Sequence, residues 1–184
     1  MTFTLDTLPD TVRIREAQSS DAPDIRGVHL AAFGDEGPLV ADLALELMAD
    51  KSAEPMLVLV AESEKGVVGS IIFSSVRIPG AKSGPSYLLA PLAVAPEFQH
   101  MGVGKQLIES GLTALRERGG ELIFVLGDPR YYSRFGFSAE HKVRAPYDLP
   151  YPDAWMCRPL GKLVPELIEG QLACAESLKR PEHW

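Results

Sequence analysis

The sequence predicts a mixed α/β fold in a single domain, and three observations predict it. Apolar runs of strand length recur at Met56 to Ala61, Val67 to Ile78, Tyr87 to Val94 and Leu122 to Leu126. Segments with helical periodicity stand before, between and after them, and turns rich in glycine and proline separate the two kinds. The chain has 184 residues, 46% hydrophobic and 23% charged, which suits one globular domain with a sizeable core.

The elements follow in order. Val12-Arg13-Ile14-Arg15 alternates apolar and charged residues as a short strand does. Ser19-Ser20-Asp21 offers N-cap chemistry for a helix that carries Ile25, Val28, His29 and Phe33 on one side. Gly34-Asp35-Glu36-Gly37 breaks that helix, and Leu39, Val40, Leu43 and Leu47 restart the period up to about Ala49. Met56 to Ala61 and Val67 to Ile78 form a hairpin around Glu62-Ser63-Glu64-Lys65-Gly66. After the loop from Pro79 to Pro85, Tyr87 to Val94 is a strand interrupted by Pro91, which donates to no ladder and belongs at an edge or bulge. Leu107, Ile108, Gly111, Leu112 and Leu115 then repeat at helical spacing from Val103 until Gly119-Gly120 ends the segment. Leu122 to Leu126 is a fully apolar strand and Pro129 to Phe135 a short helix, with further strands near Val143 and at Trp155 to Arg158. The tail from Pro165 to Leu178 reads as an amphipathic C-terminal helix, to pack on its own domain or on a second subunit in a homodimer.

Composition narrows the function. The net charge is −7 and the pI near 5.1, with no basic run longer than Lys179-Arg180, which argues against a nucleic-acid partner. Cys157 and Cys174 have no metal-ligand spacing, and no Cys-x-x-Cys or His-Glu-x-x-His pattern occurs, so no metal is expected. Met1 to Asp10 lacks the basic and apolar regions of a secretion signal, and the apolar window from Met56 to Ala61 is too short to span a bilayer. A cytoplasmic protein with free thiols and no membrane partner is the expectation.

One segment carries chemistry. Leu92-Ala93-Val94-Ala95-Pro96 runs into Gln99-His100-Met101-Gly102-Val103-Gly104-Lys105, a strand leading to a glycine-rich turn that opens a helix. Glycines let an anion approach the backbone, and the first N–H groups of a helix lack intrahelical partners. Gln106 after Lys105 rules out a nucleotide P-loop, which needs Ser or Thr there to hold magnesium. Leu107 removes the third glycine of a dinucleotide fingerprint.

The order of elements resembles the GNAT superfamily of acyl-CoA-dependent N-acetyltransferases, over roughly residues 11 to 160. Two motifs carry the resemblance: the hydrophobic strand, proline and Gln-x-x-Gly-x-Gly turn just quoted, and Tyr131-Tyr132-Ser133-Arg134-Phe135-Gly136-Phe137, which is similar to the family's Tyr-x-x-x-Gly-Phe signature. The resemblance implies a central mixed, mostly antiparallel twisted sheet, splayed between strands 4 and 5 and flanked by helices on both faces. It further implies acetyl-CoA as co-substrate, its pantetheine arm pairing with Leu92, Ala93 and Val94. Its pyrophosphate would sit on the turn formed by Gln99, His100, Met101, Gly102, Val103, Gly104 and Lys105. Residues 161 to 184 would then be a C-terminal addition to one domain spanning 1 to 184.

The implied reaction is direct attack of an amine on the thioester. By the register of the second motif, Tyr132 is the general acid that protonates the departing thiolate, with Tyr131 at the neighbouring, usually aromatic, position. Asp128 is a candidate base, although its Asp-Pro context equally suits a helix cap. Asp35 and Glu36 lie in a loop that in the family helps form the acceptor site. Tyr147 to Asp153 offers acidic and aromatic groups to a cation. The rival expectation is a non-catalytic acyl-CoA-binding module of the same fold.

Overall fold

A computed structural model describes residues 12–184. The expectation for Met1 to Asp10 lies outside them. Strand β1 (Arg13–Glu16) is followed by helices α1 (Ala22–Ala32) and α2 (Gly37–Ala49), then by β2 (Leu57–Ser63), β3 (Gly66–Val76) and β4 (Ser86–Val94). Helix α3 (Val103–Glu117), strand β5 (Leu122–Leu126) and the one-turn helix α4 (Pro129–Tyr132) come next, and β6 (Lys142–Arg144), β7 (Trp155–Pro159) and β8 (Glu169–Gln171) close the chain. The main sheet has the order β1-β2-β3-β4-β5-β7; β4 and β5 are parallel and every other neighbouring pair in it is antiparallel.

Alternation in the strands sends side chains to two cores, one on each face of the sheet. Ile71, Phe73, Leu89, Ile123 and Val125 meet α3 through Leu107, Ile108 and Leu112 on one face. Ile72, Leu88, Leu122 and Phe124 meet Ile25 of α1 and Leu43 and Leu47 of α2 on the other. Helix α3 lies so close to the sheet that Gly111 leaves no room for a β-carbon against the Phe73 ring.

The tail corrects the sequence reading. Pro165 to Leu178 is not a helix. It consists of a turn at Pro165–Leu167, strand β8 in parallel pairing with β6, and a turn at Glu176–Leu178. Ile168, Leu172, Ala175 and Leu178 are buried at spacings that imitate a helix, yet Gly170 has φ 149°, and Leu172 and Ala173 donate to the carbonyls of Arg144 and Arg77. Pairing with existing backbone groups overrides the helical period. The segment packs against the α2 side of its own chain, where Ser177 donates twice to the Asp50 carboxylate.

Candidate active site

The site begins with a break in the sheet. Leu89 pairs with Phe73 and Leu92 with Ile71, so Ala90 and Pro91 of β4 together face the single residue Ile72 of β3. This is a bulge at the proline the sequence singled out. Pairing of β4 with β5 runs from Ser86 opposite Leu122 to Leu89 opposite Val125 and stops there. Beyond it β4 keeps only its β3 neighbour, while β5, paired with β7 along its whole length, ends with Leu126 opposite Trp155. The two parallel strands therefore splay. The Ala95 N–H donates to Val68 on β3 (2.8 Å), and by alternation the N–H groups of Leu92 and Val94 face the gap.

The glycine turn closes one end of that gap. Gly102 caps α3 with φ 82°, a left-handed conformation that a glycine adopts without cost. His100 also has positive φ, 61°, and among the described residues it is the one non-glycine that does. The first backbone bond of α3 runs from the Gln106 N–H to the Gly102 carbonyl (3.0 Å), so Val103 and Gly104 point N–H groups outward without an intrahelical acceptor. Gln99 Nε2 donates to the Val94 carbonyl (3.0 Å) and ties the turn to the end of β4.

A cavity of about 520 Å³ occupies the gap. Leu92, Ala93 and Val94 form one wall and Gln99, His100, Gly102, Val103, Gly104 and Lys105 the end wall; Met101 is 49% exposed and outside it. The sequence reading missed four lining residues: Phe98, which lies inside the motif segment between Pro96 and Gln99, and Ala32, Phe33 and Arg134, which come from other elements. His100, Lys105 and Arg134 are the charged or basic groups of the lining, and no carboxylate lines it. In a chain of net charge −7, that makes the cleft a place for an anion.

The two tyrosines divide. Tyr131 lines the cleft; Tyr132, also partly buried, is not part of that lining and packs over Gly127 at the end of β5 and against Phe137, with the two phenol rings edge to face at 5.1 Å. Burial pushes the Tyr132 phenol well above its ordinary range, and the neighbouring Tyr131 adds to the shift. Burial raises Tyr131 as well, opposed by Arg134, whose guanidinium lies 4.8 Å from its ring centre. Both phenols hold their protons at neutral pH.

Asp128 is the N-cap of α4. Its carboxylate accepts from the Arg130 N–H (2.9 Å), which together with the Arg130 guanidinium holds it below its usual range and makes it a weak proton acceptor. Asp35 and Glu36 are exposed in the turn after α1, past Phe33 at the cleft edge. His29 is fully buried behind Phe33, its Nδ1 2.8 Å from the Ile25 carbonyl. Burial lowers its pKa, against the carbonyls of Ile25 and of Pro91 in the bulge. Among the described residues no group of three or more His, Cys, Asp or Glu stands together as a metal site, and no helix is long and apolar enough to cross a membrane.

Known proteins share this arrangement. Residues 54–139 match the family described as acetyltransferase (GNAT) domain. YjhQ of Escherichia coli (strain K12), an uncharacterized N-acetyltransferase, is 41% identical over 163 residues, which cover 85% of this chain and 88% of that one. The crystal structure of the Escherichia coli GNAT family N-acetyltransferase YhbS in complex with CoA matches with a TM-score of 0.83 and 31% identity, covering 95% of this chain and 96% of that one. A GNAT family acetyltransferase from Brucella melitensis in complex with acetyl-CoA matches at 0.74 and 34%, covering 91% and 98%. The splayed sheet, the glycine turn and these relatives agree, and the chain belongs to the GNAT family of N-acetyltransferases.

Proposed function

We propose that the protein transfers an acetyl group from acetyl-CoA to a primary amine of a small molecule or peptide by direct attack. The observation that carries the reading is the continuity of β4 with the glycine turn: an edge with outward N–H groups leads into a helix N-terminus in a cleft without carboxylates. An extended ligand with a phosphorylated end fits both parts, as added strand and as anion. YhbS with CoA and the Brucella melitensis protein with acetyl-CoA support that choice of ligand.

Acetyl-CoA, when bound, supplies the thioester that the amine attacks. The Leu92 N–H, just past the bulge, is oriented to stabilise the oxyanion. Tyr132 gives its proton to the departing sulfur, as the Tyr-x-x-x-Gly-Phe register implies. A second reading puts that proton on Tyr131, because its hydroxyl is the one in the cleft and Arg134 favours its ionised form. With Asp128 engaged as a cap, the cleft takes the amine already neutral.

The acceptor enters from the side of β7. A cavity of about 650 Å³ there carries Asp148, Asp153, Tyr147 and Trp155 alongside Arg144, and its two carboxylates and aromatic groups suit a cationic amine in its resting form. The Gly127 N–H donates to the Ala154 carbonyl (3.0 Å), so this cavity adjoins the end of β5. The deciding experiment is thiol release from acetyl-CoA across a panel of small amines and peptide N-termini. Turnover with at least one acceptor is expected. Tight binding of acetyl-CoA with no turnover on any acceptor would establish the non-catalytic acyl-CoA-binding module instead.

A further inference from the structure

Beside the cleft, between α3, the segment after α4 and β7, lies a pocket of about 560 Å³ that this reaction does not use. Arg116 of α3, Arg134 after α4 and Arg158 of β7 line it, and the single carboxylate is Glu109. Among the described residues neither Arg116 nor Arg158 has a carboxylate within the 4.0 Å of an ion pair, and none of the three arginines pairs with Glu109. Other surface arginines of this acidic chain do have partners, such as Arg13 with Glu62, Arg26 with Asp42 and Arg180 with Glu46.

The unpaired cluster is strained electrostatically. Arg158 is half-buried, and burial together with the charge of Arg116 lowers its pKa. An anion between the two guanidiniums offsets both effects. Guanidiniums offer paired donors that match phosphate oxygens, and a dianion serves two of them better than a carboxylate does. Thr113 adds a hydroxyl to the same wall. Arg134 lines this pocket and the cleft alike, and its Nε donates to the Tyr131 carbonyl (3.3 Å).

We propose that this pocket binds a phosphoryl group. Two sources share that chemistry: a free phosphoanion from solution, or the phosphorylated end of the ligand in the cleft, reached past Arg134. The second source rests on the acetyl-CoA reading above; the first does not. In either case an occupant engages Arg134 and thereby alters the hold on Tyr131.

The test uses the full chain and the variants Arg116→Gln and Arg158→Gln, both outside the cleft. Calorimetric titration with inorganic phosphate is compared with chloride at matched ionic strength, and coenzyme A with 3′-dephospho-coenzyme A. Phosphate is expected to bind wild type and to lose about tenfold in affinity in each variant, roughly one charge-assisted hydrogen bond. If coenzyme A loses about tenfold in the variants while the dephospho form is unchanged, the ligand's own 3′-phosphate is the occupant. If both coenzymes bind the variants as they bind wild type while phosphate binding is lost, the occupant is a free phosphoanion. Phosphate indistinguishable from chloride, with both coenzymes insensitive to the variants, overturns the proposal. A wild type that binds neither coenzyme defeats the acetyl-CoA reading alone, and the phosphate titration then decides the pocket.

Discussion

The hydroxyl of Tyr131 lies over Gly104, where an added β-carbon would come within 2.9 Å of it. One residue comes from the first turn of α3 and the other from α4, and their contact sets the width of the cleft end. Gly104→Ala is therefore expected to displace the Tyr131 ring and weaken acetyl-CoA binding by about tenfold. Tyr131→Phe removes the oxygen that clashes, so the double variant should recover stability relative to the sum of the singles, by ~0.5–2 kcal/mol. Thermal unfolding of the four proteins measures the coupling, and simple additivity would refute the contact.

The two tyrosines are separated by their phenylalanine variants. Tyr132→Phe is expected to lower kcat by roughly 10²-fold with the acetyl-CoA affinity within about twofold, the signature of a lost proton donor. Tyr131→Phe should act mainly on binding. If Tyr131→Phe instead takes the larger loss in kcat, the proton belongs to Tyr131.

Gly102 and His100 occupy the same left-handed region with opposite suitability. Gly102→Val forces a β-branched side chain to φ 82° beside the outward N–H groups; it is expected to abolish acetyl-CoA binding and to cost ~1–2 kcal/mol of stability. His100→Gly, at φ 61°, should lose no stability and gain up to about 1 kcal/mol, because the strain it relieves outweighs the added freedom of the unfolded chain. Denaturant melts and cofactor titrations read both effects.

Acid stability depends on two aspartates. A hydrogen-bonded pair with Arg15 holds Asp21, despite its burial, at about 2. Burial pushes Asp50 up, but hydrogen bonds from Ser52 and Ser177 together bring it to about 2 as well. Their folded values lie below the unfolded value of ~3.9, so their contribution is complete above about pH 5 and is lost as pH falls toward about 2. After allowance for solvent screening, Asp21→Asn is expected to remove ~1 kcal/mol at neutral pH and to flatten the acid limb. Stability measured from pH 7 to 2 checks the slope; an unchanged acid limb would contradict the assignment.

The fold was legible wherever burial and backbone agreed with local periodicity. The hairpin of β2 and β3, the amphipathic α3 and the apolar β5 each announce themselves in a few residues, and Pro91 marked the bulge that splays the sheet. The tail was misread because Ile168, Leu172, Ala175 and Leu178 fall at helical intervals for a tertiary reason: turns and a short strand deliver each of them to the same core. The cleft's glycine end was legible because one continuous segment builds it. Phe33 and Arg134 were not, since only the folded chain brings the end of α1 and the segment after α4 to that segment. Tyr132 shows the limit of register: a motif names the residue but not whether its side chain lines the cleft.

Helix α3 is the crossover between the parallel strands β4 and β5, and the cleft lies where those strands part. A ligand there grips the start of the crossover and the strand that feeds it, the parts brought together only by long-range pairing. Occupancy is thus linked to global unfolding rather than to the motion of a loop. A ligand at a hundred times its dissociation constant should add ~2.7 kcal/mol to the whole domain. Melting temperature becomes a general readout of cleft occupancy, usable before any acceptor is known.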